Sequence, residues 1–192
     1  MKYGILGIDP GTRDTGVAFM EVDKNNKILS IETLNINAFE VWNNKYFTKE
    51  ASKQDITVEH RIELILERLT SFIEDKDIHT VAIEGPFFNP KRPGVYAVLL
   101  ELVALIKAGV SKGDLLKYQL NIYQPQYVKK INGVNKTKWP KGTKTKDKVL
   151  ATMKKVKPIT TIIKGTLDDI SEHEVDAIAV AYTQLTQHNT DD

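Results

Sequence analysis

The sequence predicts an α/β fold in which a mixed five-stranded sheet is flanked by helices on both faces. Three strand-like runs, residues 3–8, 17–22 and 28–36, follow one another with short connections, which indicates an antiparallel meander. Two further runs, 80–83 and 119–123, alternate with helix-like segments, a pattern typical of parallel strands. Strands of both kinds in one chain favour a single mixed sheet covered by helices.

Each element has its own signal in the sequence. Pro10 and Gly11 end the first strand, and the polar turn at 23–26 separates the second strand from the third. From Val58 to Ile73 apolar residues recur at helical spacing between charged ones, which predicts an amphipathic helix. The residues between the third strand and Thr57 are polar and predict irregular structure. Further helices are expected at about 95–108, 145–156 and 171–186.

The composition excludes several classes of function. At 192 residues, of which 41% are hydrophobic, the chain can bury a full core, and one domain at 1–192 is expected. The absence of cysteine excludes disulfides, thiolate catalysis and cysteine-bound zinc, so any metal must be held by oxygen or imidazole. No charged-then-apolar leader is present, and the most apolar stretch, Val95 to Ile106, is too short to span a bilayer. A cytoplasmic protein without membrane contact is therefore expected.

The net charge of +2 conceals a strong asymmetry along the chain. Residues 129–157 contain eleven lysines and one acidic residue, Asp147, so this segment carries +10 and the remainder carries −8. Such a run is often only a solvated face, but concentrated positive charge also suits a phosphate backbone. Glycine, asparagine and threonine residues interrupt the lysines and indicate an adaptable connection. We expect a lysine-rich nucleic-acid-binding loop at about 129–148.

Two acidic residues stand at the ends of apolar strands. Asp9 follows the first strand directly and precedes Pro10, and Glu84 follows the run at 80–83 and precedes Gly85. An aspartate before Pro-Gly is also a common turn former, so Asp9 alone could serve only the turn. Two carboxylates delivered to strand ends in the same way indicate a shared site.

The last predicted helix adds a third acidic group. His173 and Asp176 are three residues apart and share a helix face, and Glu172, four residues before Asp176, could also converge on it. Acidic residues in a first helical turn also stabilise the helix dipole without any catalytic role. Taken with the two strand-end carboxylates, however, they form the oxygen-rich set that Mg²⁺ or Mn²⁺ prefers.

This set predicts phosphodiester hydrolysis. Two ions about 3.5–4 Å apart can activate a water and stabilise the leaving 3′-oxygen of an in-line displacement. Asp9 would bridge both ions, and Glu84 and Asp176 would each favour one of them. His173 could ligate an ion, position water or move a proton.

The order and spacing of these motifs resemble the RuvC family of Holliday-junction resolvases. The matching motifs are Ile8-Asp9-Pro10-Gly11-Thr12-Arg13 with Thr15-Gly16, Ala82-Ile83-Glu84 with Phe87, Tyr123-Gln124-Pro125, Val128-Lys129-Lys130, Thr145-Lys146-x-x-Val149 and His173-x-x-Asp176-Ala177. The resemblance extends over nearly the whole chain. It implies a ribonuclease-H-like fold, a magnesium- or manganese-dependent endonuclease, and a homodimer that nicks two strands of a four-way junction symmetrically.

Residue by residue, the resemblance also implies a site and DNA contacts. The family's acidic site falls on Asp9, Glu84 and Asp176, with His173 at a position where many members have Asp. The junction-probing aromatic corresponds best to Phe87. The other implied DNA contacts are Phe88, which competes with Phe87, one of Lys129 and Lys130, and Lys146; Lys148 in the same segment is a further candidate. The alternative for the two phenylalanines is that they plug their loop into the core.

Three departures from the family bear on the substrate. The segments 33–57 and 133–143 are longer than the family usually shows, and Gly85-Pro86 follows Glu84 directly. Because loops set substrate choice, a divergent, phage-type member could cut forks, flaps or other branches.

Two other classes of function are compatible with parts of the sequence. A catalytically weak branched-DNA-binding module is expected if His173 cannot serve and ions bind weakly. The residues 8–16 also resemble the first phosphate loop of actin-like and sugar-kinase ATPases. Those enzymes need two such domains and a second glycine-rich loop, which 192 residues do not supply, so no nucleotide cofactor is expected.

Overall fold

The computed structural model describes residues 2–46, 56–91, 93–112, 119–163 and 166–188. Its five-stranded sheet has the order β3-β2-β1-β4-β5. The strands are β1 (Lys2–Asp9), β2 (Asp14–Asp23), β3 (Ile28–Asn37), β4 (Ile78–Glu84) and β5 (Gln119–Tyr123). The first three form an antiparallel meander, whereas β4 lies parallel to both β1 and β5. The predicted mixed five-stranded sheet is confirmed.

Helices cover both faces of this sheet, as the sequence predicts. They are α1 (Ala38–Tyr46), α2 (Val58–Ile73), α3 (Pro93–Lys112), α4 (Pro125–Ile131), α5 (Thr145–Met153), α6 (Lys157–Ile162) and α7 (Glu172–His188), with a 3-10 turn at Val134–Lys136. One apolar core joins α4, α5, α6 and α7 to one face, and a second joins α1, α2 and α3 to the other. None of the helices in the described ranges combines the length with the hydropathy that crossing a bilayer requires.

Strand alternation decides which side chains meet which helices. In β1, Ile5 packs in the core of α7, whereas Leu6 and Ile8 pack in the core of α2 and α3. Because successive side chains point to opposite faces, Asp9 belongs to the same face as Ile5. In β4, Ala82 belongs to the α7 core, which assigns Glu84 to that face as well. Both strand-end carboxylates therefore belong to the side of the sheet on which α7 packs.

The segment after β3 is helical where the sequence predicted irregular structure, so that prediction is wrong for residues 38–46. Asn37 caps the start of α1, since its Oδ1 accepts hydrogen bonds from the backbone N–H groups of Phe39 and Glu40. The helix is short and has few apolar residues, so its periodicity is weak and packing on α2 contributes to its stability. Residues 47–55 of the same segment lie outside the described residues.

The lysine-rich segment is also more regular than predicted, and its description as a loop over 129–148 is wrong. Lys129 and Lys130 occupy the last turn of α4, a 3-10 turn follows, and Lys146 and Lys148 occupy the start of α5. Residues 132–133 and 137–144 connect these elements without helical structure. Pro125, at the first position of α4, is compatible with a helix start there, because that residue needs no N–H partner.

Candidate active site

Helix α7 packs directly on the sheet because glycines stand where it crosses β1 and β2. A Cβ on Gly16 would collide with the backbone of His173, and a Cβ on Gly7 would lie 2.8 Å from the Cβ of Ala181. Real side-chain carbons do not approach so closely, and protein interiors leave little room to adjust. The two glycines therefore set how near the helix that carries His173 and Asp176 comes to the end of β1.

The first turn of α7 is held by a capping box. The backbone N–H of Glu174 donates to Oγ of Ser171 over 3.2 Å, and Oε2 of Glu174 accepts from the backbone N–H of Ser171 over 2.8 Å. Thr33 of β3 adds a hydrogen bond of 2.7 Å to Oε1 of Glu174. Glu174 thus anchors the helix start rather than joining the acidic site. The Ser-x-x-Glu spacing is the signal in the sequence that identifies this helix start.

Asp9 and His173 meet at this end of the sheet. Nδ1 of His173 lies 2.9 Å from Oδ2 of Asp9, and Asp9 is only 9% exposed. The hydrogen bond with Asp9 raises the pKa of His173 above its usual value, against an opposing effect of burial. The histidine therefore balances part of the negative charge of Asp9.

The other two carboxylates are crowded into the same region. Burial raises the pKa of Glu84 to about 8, and the negative charges of Asp9 and Asp176 add to this shift, while Lys129 opposes it. Burial likewise raises the pKa of Asp176 to about 7, again with a contribution from Asp9 and against His173 and Lys129. The site thus holds more carboxylate charge than its own cations balance, a condition that a divalent cation would relieve.

The four predicted ligands are neighbours but do not yet form a coordination shell. Among the described residues, no three His, Asp or Glu side chains are arranged to hold a metal ion as they stand. Oδ2 of Asp9 is instead engaged by His173. A metal site at Asp9, Glu84, His173 and Asp176 therefore requires side-chain adjustment and stays a prediction, supported by the chemistry of the donor set: three carboxylates and an imidazole.

Glu172 lines the same cleft as Asp176, and its negative charge contributes to the raised pKa of Asp176, so its convergence with Asp176 stays a prediction. Its carboxylate forms an ion pair with Nζ of Lys146 at the start of α5. The proximity of Lys146 lowers the pKa of Glu172. A spacing of four residues places Glu172 and Asp176 on one helix face. The position of α5 adds Lys146 as the ion-pair partner of Glu172.

A cleft of about 360 Å³ opens beside the carboxylates. Its lining includes the acidic-site residues Glu84, His173 and Asp176, the ion pair of Glu172 and Lys146, Lys129, and the apolar residues Val128, Val134, Val149 and Ala179. The structure thus brings two of the predicted DNA-binding lysines to the acidic residues. Lys130 and Lys148 are not among the lining residues.

Asn132, which the sequence analysis missed, ties the lysine-bearing helix to the acidic one. Its side-chain Nδ2 donates to the carbonyl oxygens of Val128 in α4 and Ala179 in α7, over 2.8 and 3.1 Å, and to Oγ1 of Thr183 over 2.9 Å. The residue is buried, so these bonds are shielded from water. They hold α4, whose last turn carries Lys129, against the middle of α7. A single asparagine among polar residues carries no periodic signal that could have identified it.

Phe87 and Phe88 lie outside the core, so the alternative that they plug their loop is wrong. Phe87 is 62% exposed and Phe88 is 52% exposed, and the Phe88 ring packs edge-on against Tyr96 with centroids 5.3 Å apart. Both follow Glu84 within four residues. Exposed aromatic rings in the loop that follows Glu84 are available to a ligand.

Comparison with known proteins gives structural rather than sequence likeness. No protein-family model matches the chain, and no curated protein matches it in sequence. Thermus thermophilus RuvC in complex with a Holliday junction substrate is similar at 18% identity and a TM-score of 0.59, covering 99% of this chain and 96% of that one. The yeast mitochondrial Holliday junction resolvase Ydc2 is similar at 13% identity and a TM-score of 0.58, and the match covers 98% of this chain and 84% of that one.

A third solved structure extends this likeness. The fowlpox virus resolvase with its Holliday junction DNA matches at 12% identity and a TM-score of 0.54, over 96% of this chain and 97% of that one. Likeness along nearly the whole of these chains does not favour an actin-like ATPase fragment. The predicted ribonuclease-H-like architecture is confirmed, and the chain has the fold of the RuvC-type Holliday-junction resolvases.

Proposed function

We propose that this chain is a metal-dependent endonuclease that hydrolyses phosphodiester bonds in branched DNA, with Holliday junctions and related forks or flaps as substrates. The observation that carries this proposal is the cleft whose lining combines Glu84, Asp176 and His173 with Lys129 and Lys146. Carboxylates that gather divalent cations, beside lysines that attract phosphate, suit hydrolysis of a nucleic-acid backbone. The shared fold with three resolvases supports the same substrate class.

The donor set fits magnesium, with manganese as a substitute. Asp9 would be shared by two ions, Glu84 and Asp176 would each hold one, and His173 would complete the set. When bound, the ions would supply an activated water and stabilise the leaving 3′-oxygen. The raised pKa values of Glu84 and Asp176 follow from burial and neighbouring carboxylates. A cation would reverse both effects and favour the ionised, ligating forms.

The chain's own residues would orient the substrate and move its protons. Lys129 would bind the scissile phosphate in the cleft that the carboxylates also line, and Lys146 would join it when its ion pair with Glu172 opens. With Nδ1 of His173 directed to Asp9, the other ring nitrogen, Nε2, is the atom able to take or give a proton. Lys130 and Lys148 would extend the phosphate contacts beyond the cleft.

Exposed apolar side chains support two further parts of the proposal. Phe87 and Phe88 would stack on bases at the branch point, where pairing is weakest. Val95, Leu100 and Leu105 on α3 are exposed apolar side chains, and pairing of two copies in a homodimer would cover part of that apolar surface. A two-fold dimer would present two acidic clefts to two strands of one junction.

The test is cleavage of labelled four-way, forked and linear DNA by the purified protein, with and without Mg²⁺. Metal-dependent nicking of branched DNA, abolished in Asp9→Asn while binding persists, is the expected result. Binding to branched DNA without nicking in Mg²⁺ or Mn²⁺ would instead support a catalytically weak binding module. That second candidate is favoured by the engagement of Asp9 with His173 in place of a ready coordination shell.

A further inference from the structure

A second cationic surface lies near the carboxylates, on elements that the proposed function does not use. Arg13 in the connection between β1 and β2, and Arg61 in α2, both pack on the ring of Phe39 in α1. Their guanidinium carbons lie 5.7 and 5.9 Å from the ring centroid. We refer to Arg13 and Arg61 as the arginine pair.

The start of α1 is fastened to the connection that follows Asp9. The backbone N–H of Ala38 donates to the carbonyl oxygen of Arg13 over 2.8 Å. Nδ2 of Asn37 donates to Oδ1 of Asp14 over 2.7 Å, and its Oδ1 caps α1. Because these bonds hold both sides, Arg13 and Phe39 keep a fixed relation to the end of β1.

The arginine pair carries positive charge that the protein balances only in part. Arg13 has a contact of 3.5 Å from Nε to Asp14, and its side chain remains 63% exposed. Arg61 forms no ion pair within 4.0 Å with any carboxylate in the described ranges, and its Nε donates to the carbonyl oxygen of Thr57. Two guanidinium groups on one ring repel each other, and cation–π contacts at exposed sites are too weak to neutralise their charge. An anion within reach of both guanidinium groups would be bound favourably.

The sheet topology puts the arginine pair and the lysine cleft on opposite sides of the carboxylates. β1 ends at Asp9 and β4 ends at Glu84, in the middle of the strand order, and these parallel strands end at the same sheet edge. Asp14 and Asn37 pair at that same edge on the β2 and β3 side. The chain enters α4, which carries Lys129, from the end of β5, at the other side. The two cationic groups also lie on different faces, since α1 and α2 pack opposite α4 and α7.

We propose that the arginine pair binds the DNA backbone on the side of the cut away from the lysine cleft. Guanidinium groups present planar donor forks that match phosphate oxygens. A strand that enters the acidic site from the lysine cleft would leave it over the connection that bears Arg13. This inference rests on the proposed function. If the arginine pair binds DNA in this way, α1 helps to hold the substrate across the cut, because its Phe39 contacts both arginines.

The first test is the salt dependence of binding to a four-way junction without divalent metal. The variant Arg13→Gln/Arg61→Gln removes both charges and keeps a polar, uncharged group on an unbranched stem. The slope of its plot of log K against log salt is expected to be less negative than that of the wild type by about 1.8. This is about 0.9 for each of the two phosphates that the protein no longer neutralises. Lys45→Gln is the matched control, because Lys45 is a cation on α1 that is already paired with Glu67. Its slope is expected to equal that of the wild type.

The second test locates the contact. Junctions are shortened on one side of the cut at a time, and the binding deficit of each variant is measured. Shortening the side of the cut away from the lysine cleft should abolish the binding deficit of the arginine variant. Shortening the side next to the lysine cleft should abolish the binding deficit of Lys129→Gln. An unchanged salt slope, or disappearance of both deficits on shortening the same side, would overturn the inference.

These outcomes are separable from failure of the proposed function. If the wild type neither binds nor cuts branched DNA, the proposed function fails; if it does both and the arginine variant matches it, only this inference fails. Thermal unfolding of each variant checks that it folds. If the double variant does not fold, Arg13→Gln alone replaces an exposed side chain and is expected to lower the slope by about 0.9.

Discussion

Replacing Asp176 with asparagine is expected to stabilise the metal-free protein at neutral and higher pH. Burial, assisted by the charge of Asp9, raises the pKa of Asp176 from 3.8 to about 7. The folded protein therefore holds this proton more tightly than the unfolded chain does. Below the unfolded pKa of 3.8 the group costs nothing, and the cost grows as the pH rises and is complete above about 7.

The size of the effect follows from the shift. A change of about three pKa units corresponds to about 4 kcal/mol, at about 1.36 kcal/mol per unit. Attraction from His173 and Lys129 is already included, since both oppose the shift. Asparagine is neutral at every pH and so avoids the cost. The free energy of unfolding of Asp176→Asn should equal that of the wild type at about pH 4. It should exceed the wild-type value by up to about 4 kcal/mol at about pH 8.

The assay is urea unfolding in a chelator at several pH values, followed by circular dichroism. Asp168→Asn is the matched control, because Asp168 is an exposed partner of Lys154 outside the acidic cleft and its removal should cost less than about 1 kcal/mol. If Asp176→Asn shows no gain in free energy of unfolding at about pH 8, or a gain that does not grow with pH, the argument that crowded carboxylates destabilise the metal-free protein is refuted. Adding Mg²⁺ should then stabilise the wild type more than Asp176→Asn, because a ligand that binds only the folded state raises its stability.

Three further changes have distinct expected outcomes. Gly16→Ala should lower the free energy of unfolding by several kcal/mol and weaken Mg²⁺ binding, because its Cβ would push α7 away from the sheet, as denaturant and metal titrations would show. Glu172→Gln should release Lys146 and steepen the salt dependence of DNA binding by about 0.9, measured by fluorescence anisotropy. Phe87→Ala should reduce cleavage of four-way junctions while leaving the melting temperature unchanged, because the ring is exposed.

Each of these changes has a comparison that isolates its cause. Gly94→Ala adds the same methyl group where nothing lies within 4 Å, so it should not destabilise the protein. Asp168→Asn frees Lys154 outside the acidic cleft, so it should not steepen the salt dependence as Glu172→Gln does. A Gly16→Ala variant as stable as the wild type, or a Glu172→Gln variant with an unchanged slope, would contradict the corresponding packing or ion-pair argument. Equal junction cleavage by Phe87→Ala would remove that ring from the DNA contacts.

The parts of the fold predicted from the sequence are those with strong local signals. The helix at Val58–Ile73 was predicted with its observed bounds, because a long amphipathic pattern has few alternatives. The strand ends at Asp9 and Glu84 were predicted because Pro10 and Gly85-Pro86 interrupt the apolar runs. Short helices such as α1, α4 and α6 were missed, since six to nine residues contain too few apolar positions to define a period.

Pairings within the candidate site depend on tertiary structure in a way that spacing does not reveal. The spacing of Glu172 and Asp176 allows them to share a helix face, but it does not reveal that Glu172 forms an ion pair with Lys146, 26 positions earlier in the chain. The exposure of Phe87 could not be read from residue type, because phenylalanine is usually buried. Asn132 became recognisable as the tie between α4 and α7 only once both helices were in place.

The low identity to the resolvases is compatible with a shared fold because few positions determine how the acidic residues meet. The separation of α7 from β1 and β2 depends on the absence of side chains at Gly7 and Gly16. The side of the sheet to which Asp9 and Glu84 belong depends only on strand alternation. Core positions elsewhere tolerate many apolar residues of similar volume. Chains can therefore diverge to 12–18% identity and keep the same architecture. Exposed elements such as α1 are under weaker packing constraints, and there a chain can acquire its own contacts to substrate.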